Sequence, residues 1–151
     1  MALAVDASAP ALALAVEGAK ASGFEAAFNT RQGDAFAVME ALALEGQLYD
    51  LVICDPPAFA PGKASLEAGL RAYERLAKLA AALVAPGGYL VLCSCSHAAD
   101  LQAFRNACGR GIGRGLRRAQ LLHTGFAGPD HPMLTQLAES GYLKALFFRL
   151  D

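Results

Sequence analysis

The chain has 151 residues, the size of one ordinary domain, and this length leaves no room for a second complete core. Its formal net charge of -1 at pH 7 excludes a strong overall attraction to nucleic acid or to anionic membranes. Hydrophobic residues make up 55% of the chain, which indicates a sheet buried on both faces or a surface meant for a partner.

A membrane span or a secreted disulfide scaffold is not expected. The uncharged stretch 79–99 is long enough to cross a bilayer, but Pro86-Gly87-Gly88 interrupts it, and a proline costs a helix interior about 3 kcal/mol. Asp6 lies near the start without a basic lead-in, unlike a signal peptide. The four cysteines lack the spacings of a disulfide framework or a zinc site, so we expect no metal and a reducing cytoplasm.

The first quarter of the chain predicts a strand followed by a helix. Residues 1–5 form a short apolar run that ends at Asp6, which is typical of a buried strand. Ser8 can cap a helix with Pro10 in its first turn and Gly23 as its stop.

A second strand and helix follow. The strand is predicted within 24–30 and is followed by Gly33-Asp34. The next helix is indicated by apolar residues at helical spacing and by a terminating glycine, namely Phe36, Met39, Leu42 and Gly46.

The clearest strand is Tyr49-Asp50-Leu51-Val52-Ile53-Cys54, and Asp55-Pro56-Pro57 prevents its continuation. A long helix should follow, because one of its faces is apolar. The residues of that face are Leu66, Leu70, Tyr73, Leu76, Ala80 and Leu83.

Further along, Pro86-Gly87-Gly88 is expected to turn the chain into a strand at 89–95, and 98–108 is predicted to be helical. The run 109–115 contains four glycines. It follows a helix and lacks the spacing of a phosphate loop, so it is interpreted as a flexible turn.

The last two strands are predicted at 116–124 and 142–149, with no helix between them. They should form an antiparallel pair at one edge of the sheet. The preceding strands alternate with helices, which predicts an α/β fold with a mostly parallel sheet and helices on both faces.

Acidic residues follow three of the predicted strands, and ligands of such sheets bind beyond the carboxyl ends of the strands. Asp6, Asp34 and Asp55 occupy these positions. Each could accept hydrogen bonds from a nucleotide. Alternatively, Asp6 and Asp34 could only cap the following helices.

Two further motifs carry possible chemistry. Asp55-Pro56-Pro57-Ala58-Phe59 predicts a stiff loop with a carboxylate, or simply a rigid end to the strand. In Cys93-Ser94-Cys95-Ser96-His97, two thiols at a spacing of two residues face the same way while the strand is extended. Either thiol could act as a nucleophile, although buried cysteines are usually inert.

Five arginines without intervening acids form a local basic patch, either a contact for an RNA backbone or a solvated face. They are Arg105, Arg110, Arg114, Arg117 and Arg118.

Taken in order, these motifs resemble the bacterial large-subunit ribosomal RNA cytosine-5 methyltransferases that carry an N-terminal PUA domain. The resemblance covers essentially all of 1–151. It is carried by Asp6, Gly33-Asp34-Ala35-Phe36, Asp55-Pro56-Pro57-Ala58-Phe59, Pro86-Gly87-Gly88, Cys93-Ser94-Cys95-Ser96, Asp130-His131-Pro132 and Tyr142-Leu143-Lys144.

This resemblance implies a class I, Rossmann-like methyltransferase fold, a three-layer sandwich, with S-adenosylmethionine as cofactor and ribosomal RNA as partner. By position, Asp6 would bind the cofactor ribose, and Asp34, Ala35 and Phe36 would hold its adenine. Asp55 and Pro56 would line the space between cofactor and target base.

For catalysis, the resemblance implies that Cys95 attacks carbon 6 of cytosine, with Cys93 in reserve, and that Asp55 stabilises the adduct at ring nitrogen 3. His131 is a conceivable base for the proton of carbon 5, but a loop histidine between prolines is more often structural.

The chain departs from this family because it starts at the second strand, without the first strand and its glycine-rich turn. We therefore expect residues 1–151 to form one partial catalytic domain that binds cofactor weakly or not at all and self-associates through unpaired strand edges. Two alternatives remain: an amino-group methyltransferase that uses the Asp-Pro-Pro loop, and an inactive, self-associating fragment. A nicotinamide-binding domain is disfavoured because its glycine fingerprint is absent.

Overall fold

The computed structural model describes residues 1–137 and 140–151. The chain divides into two compact units, residues 1–46 and residues 47–151, and each unit has its own sheet.

In the first unit, strand β1 (Ala2–Asp6) pairs in parallel with strand β2 (Phe28–Gln32). Helix α1 (Ala9–Ala21) connects them, because parallel neighbours need a crossover connection. Helix α2 (Ala35–Leu44) follows β2. The predicted strand–helix–strand–helix order is confirmed.

The helix ends of this unit confirm the predicted signals. The Ser8 hydroxyl accepts from the Ala11 backbone N–H at 3.3 Å and caps α1, and proline stands in the first turn. Past the ends of the helices, Gly23 has φ +76° and Gly46 has φ +70°. These left-handed conformations favour glycine because a Cβ would be strained there.

In its described residues, the second unit has four strands in the order β3-β4-β6-β5 and two α-helices. Its elements are β3 (Tyr49–Cys54), α3 (Leu66–Ala82), β4 (Val84–Ser94), α4 (Leu101–Arg114), β5 (Ala119–Gly125) and β6 (Lys144–Leu150). The pairing of β3 with β4 is parallel, whereas β6 is antiparallel to both β4 and β5. The predicted antiparallel pair at one edge is therefore confirmed.

The core of the second unit lies between one face of this sheet and its two helices. Its largest fully buried side chains are Tyr73, Phe104, Leu90, Leu92, Leu146 and Leu150. The rings of Tyr73 on α3 and Phe104 on α4 meet edge to face with centroids 4.9 Å apart. This contact joins the two helices above the strands that lead to the site described below.

The strands predicted to be buried are partly exposed. No residue of β1 is buried, and in β3 the side chains of Leu51 and Ile53 are 52% and 62% exposed. Within the described residues, β1 and β3 each have a strand partner on one side only. The apolar patterns correctly predicted the strands. The burial of a strand depends also on the elements that pack beside it, which a local pattern does not identify.

The prediction of a flexible turn at 109–115 was wrong, because α4 continues to Arg114. Gly111 lies where α4 approaches α3, and a Cβ on it would come within 2.8 Å of the Ala77 Cβ. Arg110 and Arg114 both pair with Glu74 of α3, the former at 3.0 Å between Nε and Oε2. The glycine permits a close crossing of α3 and α4, and the ion pairs add polar contacts between the same two helices.

The predicted turn at Pro86-Gly87-Gly88 instead lies within β4. The register with β3 shifts there, since Tyr49 lies opposite Val84 while Leu51 lies opposite Tyr89. Gly87 has φ +78°, so the residues that signal a turn form an irregularity inside the strand.

In the described part of the chain, no helix combines the length and the apolar composition that a bilayer span requires.

The helix crossing gives a first test. Gly111→Ala should lower the free energy of unfolding by about 1 to 3 kcal/mol, because the added methyl group overpacks the contact with α3. In the matched control, Gly113→Ala, the new methyl group meets nothing within 4 Å. This change should raise the free energy of unfolding by about 0.5 to 1 kcal/mol through helix propensity. Urea denaturation of both variants measures the difference, and equal effects would contradict the close crossing.

Candidate functional site

In the first unit, the structure brings Asp6 and Asp34 to the same edge of the sheet. Asp6 lies opposite Gln32 in the parallel register, and the Gly33 N–H donates to the Asp6 carbonyl at 3.0 Å. Asp34 is the next residue, so both acids stand beyond the carboxyl ends of neighbouring strands, where α/β sheets bind ligands.

Each of these carboxylates also has a local structural contact. Oδ1 of Asp6 accepts from the Ser8 N–H at 2.7 Å, and Oδ1 of Asp34 accepts from the Ala37 N–H at 3.0 Å and so caps α2. Among the described residues, both acids bond through Oδ1, and both are exposed to solvent. Asp34 therefore caps α2, whereas Asp6 holds the turn before Ser8, which is the cap of α1, and each Oδ2 remains able to accept from a ligand.

Ala35 and Phe36 begin α2 directly after this edge, the former exposed and the latter half-buried. Together with the two carboxylates they offer acceptors for hydroxyl and amino groups beside an apolar surface. These acceptors and the apolar surface beside them fit the ribose hydroxyls and the adenine of a nucleoside.

In the second unit, the structure brings the Asp-Pro-Pro loop and Cys95 together. β3 ends next to β4, with Cys54 opposite Leu92, so the residues that follow the two strands leave the sheet side by side. The Cys95 sulfur lies 3.9 Å from the Pro56 carbonyl oxygen. Cys95 is half-buried, and Asp55 is exposed at the same edge.

Buried hydroxyl groups fix the residues on both sides of Cys95. The Ser94 hydroxyl donates to the Tyr73 hydroxyl at 2.8 Å, and the Tyr73 and Ser96 hydroxyls lie 2.8 Å apart. The Ser96 hydroxyl also accepts from the Ala60 N–H at 2.9 Å. This network ties α3, the end of β4 and the loop after Asp-Pro-Pro into one unit, because buried polar groups need their partners.

The other three thiols are in environments that disfavour the thiolate. Burial, followed by the charge of Cys93, raises the pKa of Cys54 to about 12. Burial also raises the pKa of Cys108. For Cys93, burial and the nearby Asp55 carboxylate both raise the pKa. These three thiols therefore stay protonated and weakly nucleophilic at neutral pH.

Lys144 belongs to this region, although the sequence interpretation named it only as part of a motif. It is 8% exposed, and its ammonium donates to the Ser96 carbonyl at 3.0 Å and to the Tyr142 carbonyl at 2.9 Å. Lys144 begins the buried alternation of Leu146, Phe148 and Leu150. A lysine in such a pattern is the sequence signal that marks it, because lysine is seldom buried without partners.

The basic patch is largely used within the protein. Arg110 and Arg114 pair with Glu74, and the Arg117 guanidinium donates to the Val84 carbonyl at 2.7 Å and to the Asp151 carbonyl. His131, weighed above as a base, is an exposed residue whose Nδ1 lies 3.1 Å from the carboxylate of its neighbour Asp130.

The chain is similar in sequence to ribosomal RNA methyltransferases, although no family model matches it. A ribosomal RNA large subunit methyltransferase of Deinococcus radiodurans is 39% identical over 126 residues, which cover 83% of this chain and 30% of the relative. Ribosomal RNA large subunit methyltransferase I of Aeromonas salmonicida is 34% identical over 147 residues, or 96% of this chain and 37% of the relative. The chain thus spans about a third of the length of these curated relatives.

Solved structures show the fold. A candidate methyltransferase complexed with SAH superposes with a TM-score of 0.81 at 21% identity, over 97% of this chain and 38% of that one. NSun6 from Pyrococcus horikoshii gives a TM-score of 0.66 at 17% identity, over 97% of this chain and 40% of that one. The predicted class I methyltransferase fold is confirmed, and the chain is homologous to one part of the ribosomal RNA large subunit methyltransferases.

The hydroxyl network gives a second test. Tyr73→Phe removes the shared hydroxyl and leaves Ser94 and Ser96 with fewer partners, so the free energy of unfolding should fall by about 1 to 3 kcal/mol. The control is Tyr89→Phe, at a position where the tyrosine is 48% exposed. Its effect should stay within about 0.5 kcal/mol. Thermal and urea denaturation measure both changes, and a neutral Tyr73→Phe would show that the network does not stabilise this edge.

Proposed function

We propose that this chain is the catalytic part of an S-adenosylmethionine-dependent ribosomal RNA methyltransferase that methylates carbon 5 of cytosine through a covalent adduct with Cys95. The observation that carries the proposal is the half-buried Cys95 thiol beside the Pro56 carbonyl at the edge where β3 and β4 end. Homology to ribosomal RNA large subunit methyltransferases supports the substrate class.

The reaction needs a nucleophile because carbon 5 of cytosine does not react unaided. The Cys95 sulfur forms a bond to carbon 6, and the electron pair of the ring double bond moves toward carbon 5. When bound, S-adenosylmethionine supplies the methyl group that carbon 5 takes up. A base then removes the proton of carbon 5, the ring double bond re-forms, and the carbon–sulfur bond breaks to release the thiolate.

The environments of the thiols favour Cys95 over Cys93 for this role. Burial and the Asp55 carboxylate both hold Cys93 in its protonated form. Cys95 comes directly after the end of β4, and its neighbours Ser94 and Ser96 are held by the buried hydroxyl network. A fixed backbone on both sides keeps the sulfur in one place, which favours attack on a positioned base.

Asp55 has a second proposed role. Its exposed side chain stands at the same edge as Cys95, and we assign it the hydrogen bond to ring nitrogen 3 that stabilises the adduct. Asp55 and Pro56 would then line the space between the target base and the methyl donor.

The residues of the first unit would hold the nucleoside part of the cofactor. Asp6 would accept hydrogen bonds from the ribose hydroxyls, while Asp34, Ala35 and Phe36 would hold the adenine. The exposed carboxylates at the ends of β1 and β2 support these roles.

The cellular setting follows from the substrate. We place the protein in the cytoplasm, where ribosomal RNA meets reducing conditions that keep a catalytic thiol free. By the same resemblance, a PUA domain would help to hold RNA, since the net charge of this chain is only -1. We also propose self-association through the edge of β3, which among the described residues has a strand partner on one side only and where Leu51 and Ile53 are exposed.

Two alternatives are kept. An amino-group methyltransferase could use the Asp-Pro-Pro loop, although such motifs usually place an aromatic residue where this chain has Ala58. An inactive fragment that only associates would keep the fold without binding cofactor.

Methyl transfer to large-subunit ribosomal RNA tests the covalent mechanism. Cys95→Ala should lower the rate at least about 1,000-fold, because removing a catalytic nucleophile has effects of that size or larger. The matched control Cys93→Ala should stay close to the parent rate. RNA that contains 5-fluorocytosine should trap a covalent adduct with the parent chain and with Cys93→Ala, but not with Cys95→Ala. Methylation that persists in Cys95→Ala would favour the amino-group alternative.

Calorimetric titration with S-adenosylmethionine tests the cofactor site. We expect weak or absent binding by this chain. Where binding is measurable, Asp6→Asn should weaken it by up to about tenfold through the loss of a charged acceptor. Asp130→Asn changes an exposed loop acid and serves as the control. The absence of any binding would favour the inactive fragment, and binding that is insensitive to Asp6→Asn would remove that residue from the site.

A further inference from the structure

Lys144 is held in a position that connects it to the backbone around Cys95. It begins β6 and lies opposite Ser94 in the antiparallel register with β4. Its ammonium donates to the Ser96 carbonyl at 3.0 Å. The residue before Cys95 is thus its strand partner, and the residue after Cys95 accepts its hydrogen bond.

Burying the charge of Lys144 costs free energy, and the fold does not need a charged residue at this position. A charged side chain that is 8% exposed loses most of its hydration, and an apolar residue in its place would continue the alternation of Leu146, Phe148 and Leu150. The ammonium also borders a cavity of about 260 Å³ beside the site. Its lining residues are His97, Asp100, Leu101, Phe126, Gly141, Tyr142 and Lys144. A buried cation therefore lies at the wall of a cavity that is also lined by His97, two residues after Cys95.

The charges around Lys144 show which groups feel it. Burial lowers the pKa of Lys144, while Asp100 and then Cys95 raise it. Asp100 is already used as the cap of α4, where its carboxylate accepts from the Ala103 N–H at 2.7 Å. His97 and Tyr142, whose rings pack with centroids 4.6 Å apart, are the other titratable residues that line the cavity.

The carbonyl that accepts from the Lys144 ammonium belongs to Ser96, the residue directly after Cys95, so a buried positive charge lies close to the thiol. A nearby positive charge favours the ionised form of an acidic group. We propose that Lys144 is a positioning residue for Cys95, which holds the backbone after the thiol and stabilises the thiolate through its buried positive charge. This inference deepens the proposed function, because Cys95 is the nucleophile proposed there.

The test is the rate at which iodoacetamide alkylates Cys95 at neutral pH, followed by mass spectrometry of the peptides of the whole chain. It requires neither RNA nor cofactor, so its result is separate from that of the methylation assay. Lys144→Met should slow the alkylation of Cys95 by about three- to tenfold, because loss of the cation lowers the thiolate fraction while the remaining thiolate becomes somewhat more nucleophilic. The alkylation of Cys93 in the same samples should stay within twofold or so of the parent.

Lys144→Gln separates the charge from the hydrogen bonds, because its amide can still donate to the carbonyl groups but carries no charge. It should slow Cys95 as Lys144→Met does. Lys78→Gln removes an exposed lysine from α3 and should leave the rate unchanged. Circular dichroism and thermal melting establish whether each variant is folded. If Lys144→Met does not fold, the rate measured with Lys144→Gln is used instead. A folded Lys144→Gln variant with the parent rate at Cys95 would overturn the proposal, as would equal slowing of Cys93.

Discussion

The hydrogen bonds buried beneath the end of β4 constrain the rest of this site. Ser94 and Ser96 turn their hydroxyls toward Tyr73 of α3, and Lys144 of β6 reaches the Ser96 carbonyl. A buried polar group without a partner is costly, so the helix, the two strands and the loop that contributes Ala60 must all be in place together. Cys95 lies between the two serines, and its position follows from theirs.

The cysteines of the second unit show how the same side chain acquires different chemistry from its surroundings. Cys54 and Cys108 are thiols that burial keeps protonated. Cys93 has, in addition, the Asp55 carboxylate nearby. Cys95 has a carbonyl beside its sulfur, and the buried cation of Lys144 on the neighbouring strand donates to the carbonyl of the next residue, Ser96. Charge and burial therefore distinguish residues that a motif treats alike.

The sequence-based fold prediction was wrong about the role of one glycine-rich segment and about how far two strands are buried. Gly111 was interpreted as part of a turn, but it serves a close crossing of two helices, since glycine is the residue that permits both. Leu51 and Ile53 alternate as strand residues should, yet their exposure depends on which elements lie beside β3. Neither distinction is encoded in local spacing, because each depends on a partner far away in the chain.

By itself, the sequence determined the order of strands and helices, the caps at Ser8 and Asp34, and the end of β3 before Asp-Pro-Pro. These features are local, since they depend on dihedral preferences and hydrogen bonds within a few residues. The tertiary structure alone decided that Tyr73, Ser96 and Lys144 meet around Cys95. These three residues are more than 20 positions apart from one another along the chain. Contacts of this kind follow from how the helices pack on the sheet, and for that reason the sequence named the thiol but not the groups that hold it.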